Sequence, residues 1–290
     1  MKGRCTLSVL CTLALIGCAP KARHGGDDDG GGDDGGPPTD ADDCSGDAKL
    51  IYTIDQFNGA LLSQFDPSTK TFTDPGPLNC QTMAGATTFS MGVDRNVIGW
   101  VLYSSGELFR VDILKHLACT KTSWIAQNGL TVFGMGFSTD QPMGTTDTLF
   151  VGGGLNQTQP SYKLAKIDTA TMQSTIIGSE PQLPEMTGNS KAELWGFFPD
   201  ASMPKVVQFD KTSGAAITTY AEPSLAGTMT GYAFAHWGGD YWVFLIKNGE
   251  PSTTVYQIDG HTGALKGTTP TTGRTIVGAG VSTCAPTVIL

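Results

Sequence analysis

The chain has 290 residues, 38 of them Gly and 16 Pro, with 16% charged and 39% hydrophobic residues. Gly is close to twice its usual share of about 7%, and charge falls well below the usual 25% or so, which excludes helical bundles and coiled coils, where each Gly costs roughly 1 kcal/mol. The formal net charge of −9 argues against nucleic acid as a partner, because phosphate binding needs basic patches that displace counterions.

Residues 1–17 begin with Lys2 and Arg4 and continue in an apolar stretch over 7–17. That is the pattern of a secretory signal, and no apolar run in the chain reaches the 18 or so residues of a membrane helix. The stretch ends in Leu15-Ile16-Gly17-Cys18, which resembles the bacterial lipobox, where small residues admit the peptidase and the Cys thiol accepts diacylglycerol. Cys18 is therefore the expected lipid attachment point, and its acyl chains supply enough buried CH₂ for stable anchoring to a membrane. Ala19 and Pro20 follow it, so the acid of an inner-membrane retention signal is missing. The expected location is the outer membrane of the cell envelope.

Residues 18–47 read as a tether. Nine Asp between His24 and Asp47 sit among Gly and Pro, with almost nothing apolar. Such a stretch cannot bury enough surface to offset its ordering entropy, and like-charge repulsion extends it. The carboxylates lack the spacing and closing Glu of a calcium loop, so they are read as solvated.

Residues 48–290 carry a weak internal repeat of alternating strands ending in an acid and a turn. It reads Leu62-Ser-Gln-Phe65-Asp66, Leu108-Phe-Arg-Val111-Asp112, Leu164-Ala-Lys-Ile167-Asp168, Val206-Val-Gln-Phe209-Asp210 and Val255-Tyr-Gln-Ile258-Asp259. Apolar strands precede the acid-ending ones at 51–54, 100–103, 149–151, 194–198 and 241–246. Small-residue strands lie earlier still, at 89–93, 133–137 and 232–237, with Met186-Thr-Gly188 a poorer fourth. These suit the innermost place of a propeller blade, where converging strands leave no room for large side chains.

The fold class expected is all-β, a propeller of five four-stranded blades. The first copy lacks its small-residue strand, and Ile276-Val-Gly-Ala-Gly-Val281 at the other end of the repeat region is one to spare. Pairing the two closes the ring and removes the open sheet edge. A sixth blade would have to hide in the 56-residue gap between Asp112 and Asp168. The five repeated Asp are expected to cap their turns by accepting backbone N–H bonds, since a site normally breaks a repeat rather than obeying it.

With Cys5 and Cys11 in the signal and Cys18 lipidated, Cys44, Cys80, Cys119 and Cys284 remain. An even count in an exported chain reads as disulfides. The ring model pairs Cys44 with Cys284 and Cys80 with Cys119. No metal site is expected, because there is no Cys-x-x-Cys pair and His is scarce.

No nucleophile elbow, zinc motif or dinucleotide fingerprint occurs, so no catalytic residue and no cofactor is expected. The least repeat-like stretch is Ala235-His236-Trp237-Gly238-Gly239-Asp240-Tyr241-Trp242. His236, Trp237 and Asp240, with Asp94, Arg95 and Asp140 at the matching strand ends, form the candidate ligand-binding cluster at one mouth of the ring. The competing structural reading has Trp237 and Trp242 filling space between blades and His236 satisfying a backbone group.

Met91-Gly-Val-Asp94-Arg95, Trp100-Val-Leu-Tyr103, Phe133-Gly-Met-Gly-Phe137, Leu194-Trp-Gly-Phe-Phe198, His236-Trp-Gly-Gly-Asp240 and Ile276-Val-Gly-Ala-Gly-Val-Ser-Thr-Cys284 resemble a family of uncharacterised propeller lipoproteins from Gram-negative soil bacteria. The resemblance covers about residues 48–286 and implies location and fold, with no catalytic residues. A monomeric, non-catalytic binding or scaffold module is expected, with an envelope protein or a glycan as ligand. The rival is an envelope hydrolase or lactonase acting on a sugar or peptide at the central mouth. Three or more convergent carboxylates in the channel would favour that rival.

Overall fold

The computed structural model describes residues 44–56 and 59–288. The expected signal, Cys18 and the tether as far as residue 43 lie outside them. Cys44 to Asp47, read as tether, are instead built onto the propeller. Ser45 caps a 3-10 turn at Gly46–Lys49 by accepting from the Ala48 amide, and the Tyr52 hydroxyl donates to the Asp47 carbonyl.

Among the described residues, twenty strands follow. Blade one holds β1 (Ile51–Asp55), β2 (Leu61–Asp66) and β3 (Thr71–Pro77); blade two holds β4 (Thr88–Val93), β5 (Ile98–Tyr103), β6 (Leu108–Asp112) and β7 (Ala118–Lys121). Blade three holds β8 (Val132–Thr139), β9 (Asp147–Gly154), β10 (Tyr162–Asp168) and β11 (Gln173–Glu180). In blade four lie β12 (Glu185–Gly188), β13 (Leu194–Phe198), β14 (Lys205–Phe209) and β15 (Ala216–Ala221). Blade five holds β16 (Met229–Trp237), β17 (Asp240–Lys247), β18 (Thr254–Asp259) and β19 (Leu265–Pro270), and β20 (Ile276–Val281) returns to blade one. Each blade is an antiparallel four-stranded sheet, and the protein is a five-bladed β-propeller. The stretch from Asp112 to Asp168 contains β7 to β10 and no additional blade.

Closure follows the expected route. β20 pairs antiparallel with β1 in the register Ile51↔Val281 and Thr53↔Ala279. Cys44 is bonded to Cys284, with Cα atoms 5.9 Å apart, and Cys80 to Cys119, at 5.2 Å. The innermost strands β20, β4, β8, β12 and β16 contact one another in that order and back to β20.

Glycine makes the inner ring possible. A Cβ on Gly136 would lie 2.6 Å from the Met186 carbonyl oxygen and from Thr187 Cα of the next blade, so any larger residue would push the blades apart. The second strands are buried on both faces, as in β13 and β17, because neighbouring blades cover each side. The fourth strands, such as β19, are largely exposed.

Aromatic residues fill the wedges between blades. Phe65 of blade one meets Trp242 and Phe244 of blade five at 5.6 and 5.4 Å between ring centroids. Trp100 of blade two meets Phe137 of blade three at 6.2 Å. Truncating such a fully buried ring costs about 3–5 kcal/mol.

Candidate functional site

The inner strands all run the same way, so the ring has two unlike ends. The acid turns and the C-terminal ends of β4, β8 and β16 share the turn end; the N-terminal ends of the inner strands surround the opposite mouth.

At the turn end the repeated Asp cap their turns. Asp210 Oδ1 accepts from the amides of Thr212 and Ser213 at 2.9 and 2.7 Å, and Asp259 does the same with His261 and Thr262. Asp66, Asp112 and Asp168 cap equivalent turns. The Ser213 amide and hydroxyl, with the Thr212 amide, hold the Asp210 carboxyl below the usual carboxylate range.

The candidate cluster lies at this end, and its members are engaged in holding the ring. Asp94 accepts from the amides of Asn96 and Ile98 and from Trp100 Nε1 at 3.1 Å. Arg95 donates to the Gly144 carbonyl at 3.1 Å and lies 3.8 Å from Asp147, which also accepts from the Thr283 hydroxyl. The Thr148 hydroxyl donates to Asp140 at 2.6 Å. Asp240, 3% exposed, accepts from Gln257 Nε2 at 2.7 Å and Lys266 Nζ at 2.9 Å.

Trp237 donates from its indole to the Lys49 carbonyl at 2.6 Å and packs with Trp242 in the wedge beside blade one. The structural reading of this pair therefore holds. His236 departs from its expected role: its backbone amide donates to the Thr187 hydroxyl, but the ring Nδ1 is buried without a hydrogen-bond partner. Burial pushes the imidazole down to about 4, so it is neutral at ordinary pH.

The mouth end presents the molecule's axial pocket, with a volume of about 470 Å³. Each inner strand contributes to it: Thr88 from β4, Val132 from β8, Glu185 from β12, Tyr232 from β16 and Val277 from β20. Gln56, Ser104, Asn156 and Gln157 bring amides and a hydroxyl from the surrounding turns.

Glu185 is the single carboxyl in this lining and is 2% exposed. Ser90 Oγ donates to its Oε2 at 2.9 Å. Burial raises the carboxyl well above its ordinary value. The Thr88 hydroxyl is buried without a partner. Tyr232 donates to the Leu183 carbonyl at 3.4 Å, and burial with Glu185 nearby pushes its phenol up.

Sequence reasoning missed Glu185. One signal was present: an acid opens β12, where the other inner strands open with Thr88, Val132, Met229 and Ile276. This is a break in the repeat at the axis. Among the described residues, no group of three or more His, Cys, Asp or Glu is placed to hold a metal ion. The three convergent carboxylates that would favour a hydrolase are not found in the pocket lining.

These features define a five-bladed propeller with a polar pocket on its axis. Neither a family model nor a curated protein matches the sequence. Among solved structures, the chain is similar to one in a nidogen/laminin complex, at 11% identity and TM-score 0.47, covering 80% of this chain and 97% of that one. It is also similar to regucalcin, a calcium-binding protein from Agrobacterium tumefaciens, at 12% and 0.47, covering 82% and 76%. A protein of unknown function from Bacteroides caccae matches at 10% and 0.46, covering 80% and 98%. No activity is carried over from them.

Proposed function

We propose that the protein is a lipid-anchored binding module of the cell envelope, held through Cys18 in the outer membrane, that takes a glycan ligand in the axial mouth without transforming it. The observation that carries the reading is the pocket lining, in which amides and hydroxyls surround one buried carboxyl. Neutral hydrogen-bonding groups beside aromatic walls suit the hydroxyls and ring faces of a sugar. Glycoside hydrolysis ordinarily divides acid and base or nucleophile between two carboxyls, and this lining holds only Glu185. The turn-end cluster supplies a scaffold for the ring rather than a second site. Anchoring agrees with the lipobox and with the likeness to propeller lipoproteins.

The test is to incubate the full chain with defined envelope glycans and follow the sugar signals by NMR. Saturation transfer from protein to glycan with no new anomeric signals is expected. Release of a cleaved sugar would replace this reading with the hydrolase. Cell fractionation checks the anchor: Cys18→Ser should move the protein from the membrane fraction to the soluble periplasm, and retention in the membrane would contradict lipidation.

A further inference from the structure

The floor of the axial mouth holds hydrogen-bonding capacity that the protein does not use. The Thr88 hydroxyl is 3% exposed and has no partner. Ser90 Oγ is the one hydrogen-bond donor to the Glu185 carboxyl among the described residues, and it reaches Oε2 only. A buried hydroxyl without a partner, such as that of Thr88, calls for one that completes it.

Charge and chemistry specify the sign of that partner. Among the described residues no Lys, Arg or His lines the mouth, and Glu185 is its one carboxyl. Phe89 and Tyr232 add aromatic walls, which attract cations through their ring faces. The carboxyl Oε1 and the Thr88 hydroxyl can both accept, and an ammonium group brings three donors and no acceptor. The amides of Gln56, Asn156 and Gln157 ring the opening above, where hydroxyls on the same ligand would meet them.

Resting on the reading of the mouth as a binding site, we propose that Glu185 and Thr88 recognise a primary ammonium group carried by a hydroxylated ligand of sugar size. The proton balance is simple. Pairing with the ammonium favours the carboxylate form of Glu185, and a proton that the acid carries passes to solvent. Tyr232 on β16, with Tyr162 on β10 behind it, are the other titratable groups of this wall. Burial keeps the Tyr232 phenol neutral throughout.

The test is calorimetric titration of the full chain in detergent at pH 7 with glucosamine, glucose and ethanolamine as probes, in two buffers of different ionisation enthalpy. Glucosamine should bind about tenfold more tightly than glucose, as expected for a charge-assisted contact in a desolvated site. Its apparent enthalpy should differ between the buffers in the direction of proton release from Glu185. Ethanolamine should bind more weakly than glucosamine, and equal binding would remove the sugar-sized part of the proposal.

Glu185→Gln, which keeps the bond from Ser90, should abolish the preference for glucosamine over glucose. Thr88→Val should weaken glucosamine several-fold without lowering the melting temperature. Equal affinity for glucosamine and glucose, indifferent to Glu185→Gln, would overturn ammonium recognition and leave the binding mouth standing. Failure of all three probes to bind would overturn both.

Discussion

At the turn end of the propeller, carboxylates, amides and cations are paired off and the His236 ring nitrogen is the exception; at the mouth end, several polar groups are buried with capacity to spare around a pocket. Asp240 has Lys266 and Gln257, Asp94 has its own turn and Trp100, and Asp147 joins Arg95 to Thr283 across blades three, two and one. Across the ring, Thr88 and Glu222 each carry an unpartnered buried oxygen, and Glu185 has a single donor. Among the described residues, the three carboxyls that burial pushes upward, Glu180, Glu185 and Glu222, all lie toward the mouth end. The rim is not uniform: Lys121, with the Met83 amide and Ser105, holds Glu107 down to about 2. The contrast teaches that residues which look chemical in a sequence are often the ones a fold consumes. A site is better sought where unpaired groups meet a pocket.

The largest way to break the contrast is to open the ring. Ending the chain after Gly273 removes β20 and Cys284, exposes β1 as an edge and takes Val277 out of the mouth. Size-exclusion chromatography should show aggregate in place of a folded domain. A milder cut is Cys44→Ser with Cys284→Ser. The bridge spans 240 residues, and in the chain-entropy model its loss costs on the order of 5 kcal/mol. Urea unfolding should still show a folded protein with a much lower midpoint.

Next in size is the turn end's own polar network. Asp240→Ala strands Gln257 and the Lys266 ammonium, and should cost about 1–3 kcal/mol in urea unfolding. Ligand binding should be untouched; a loss of binding would return the site to this end.

The two ends should also respond oppositely to pH. Glu180 and Glu222 rise from 4.5 to about 7 through burial, so the folded state keeps protons that the unfolded chain releases. Their effect is to lower stability as pH climbs from about 4.5 through 7. Backbone bonds at the turns lower Asp168 and Asp210 below 3.8, and the stabilisation they give is lost as pH falls through their folded values. Urea midpoints across pH should therefore peak on the acid side of neutral. Glu222→Gln should flatten the decline above the peak, and an unchanged decline would contradict the assignment. The smallest effect expected is that of Thr88→Val, which discards an unpaired hydroxyl and should leave stability within about 1 kcal/mol of the parent.

The architecture was legible because it is written locally. Alternation, an acid with a turn after each third strand, and Gly in the inner strands recur at each blade, and the even cysteine count found its pairs once the ring was drawn. His236 illustrates the limit: its neighbours suggested a polar role, and only the packing of β16 against β12 shows it buried and neutral. The mouth was not legible for a related reason. Ser90 and Glu185 meet across 95 residues, and Thr88, Val132, Glu185, Tyr232 and Val277 come together because five distant strands converge on one axis. No spacing rule in a single stretch of chain records that meeting.

A crystal structure of the protein soaked with glucosamine addresses the central claim most directly. The account predicts the sugar in the axial mouth, its ammonium within hydrogen-bond distance of Glu185 and the Thr88 hydroxyl, with the turn end unchanged. A sugar seated among Asp94, Asp140, His236 and Asp240, with the mouth empty, would contradict it.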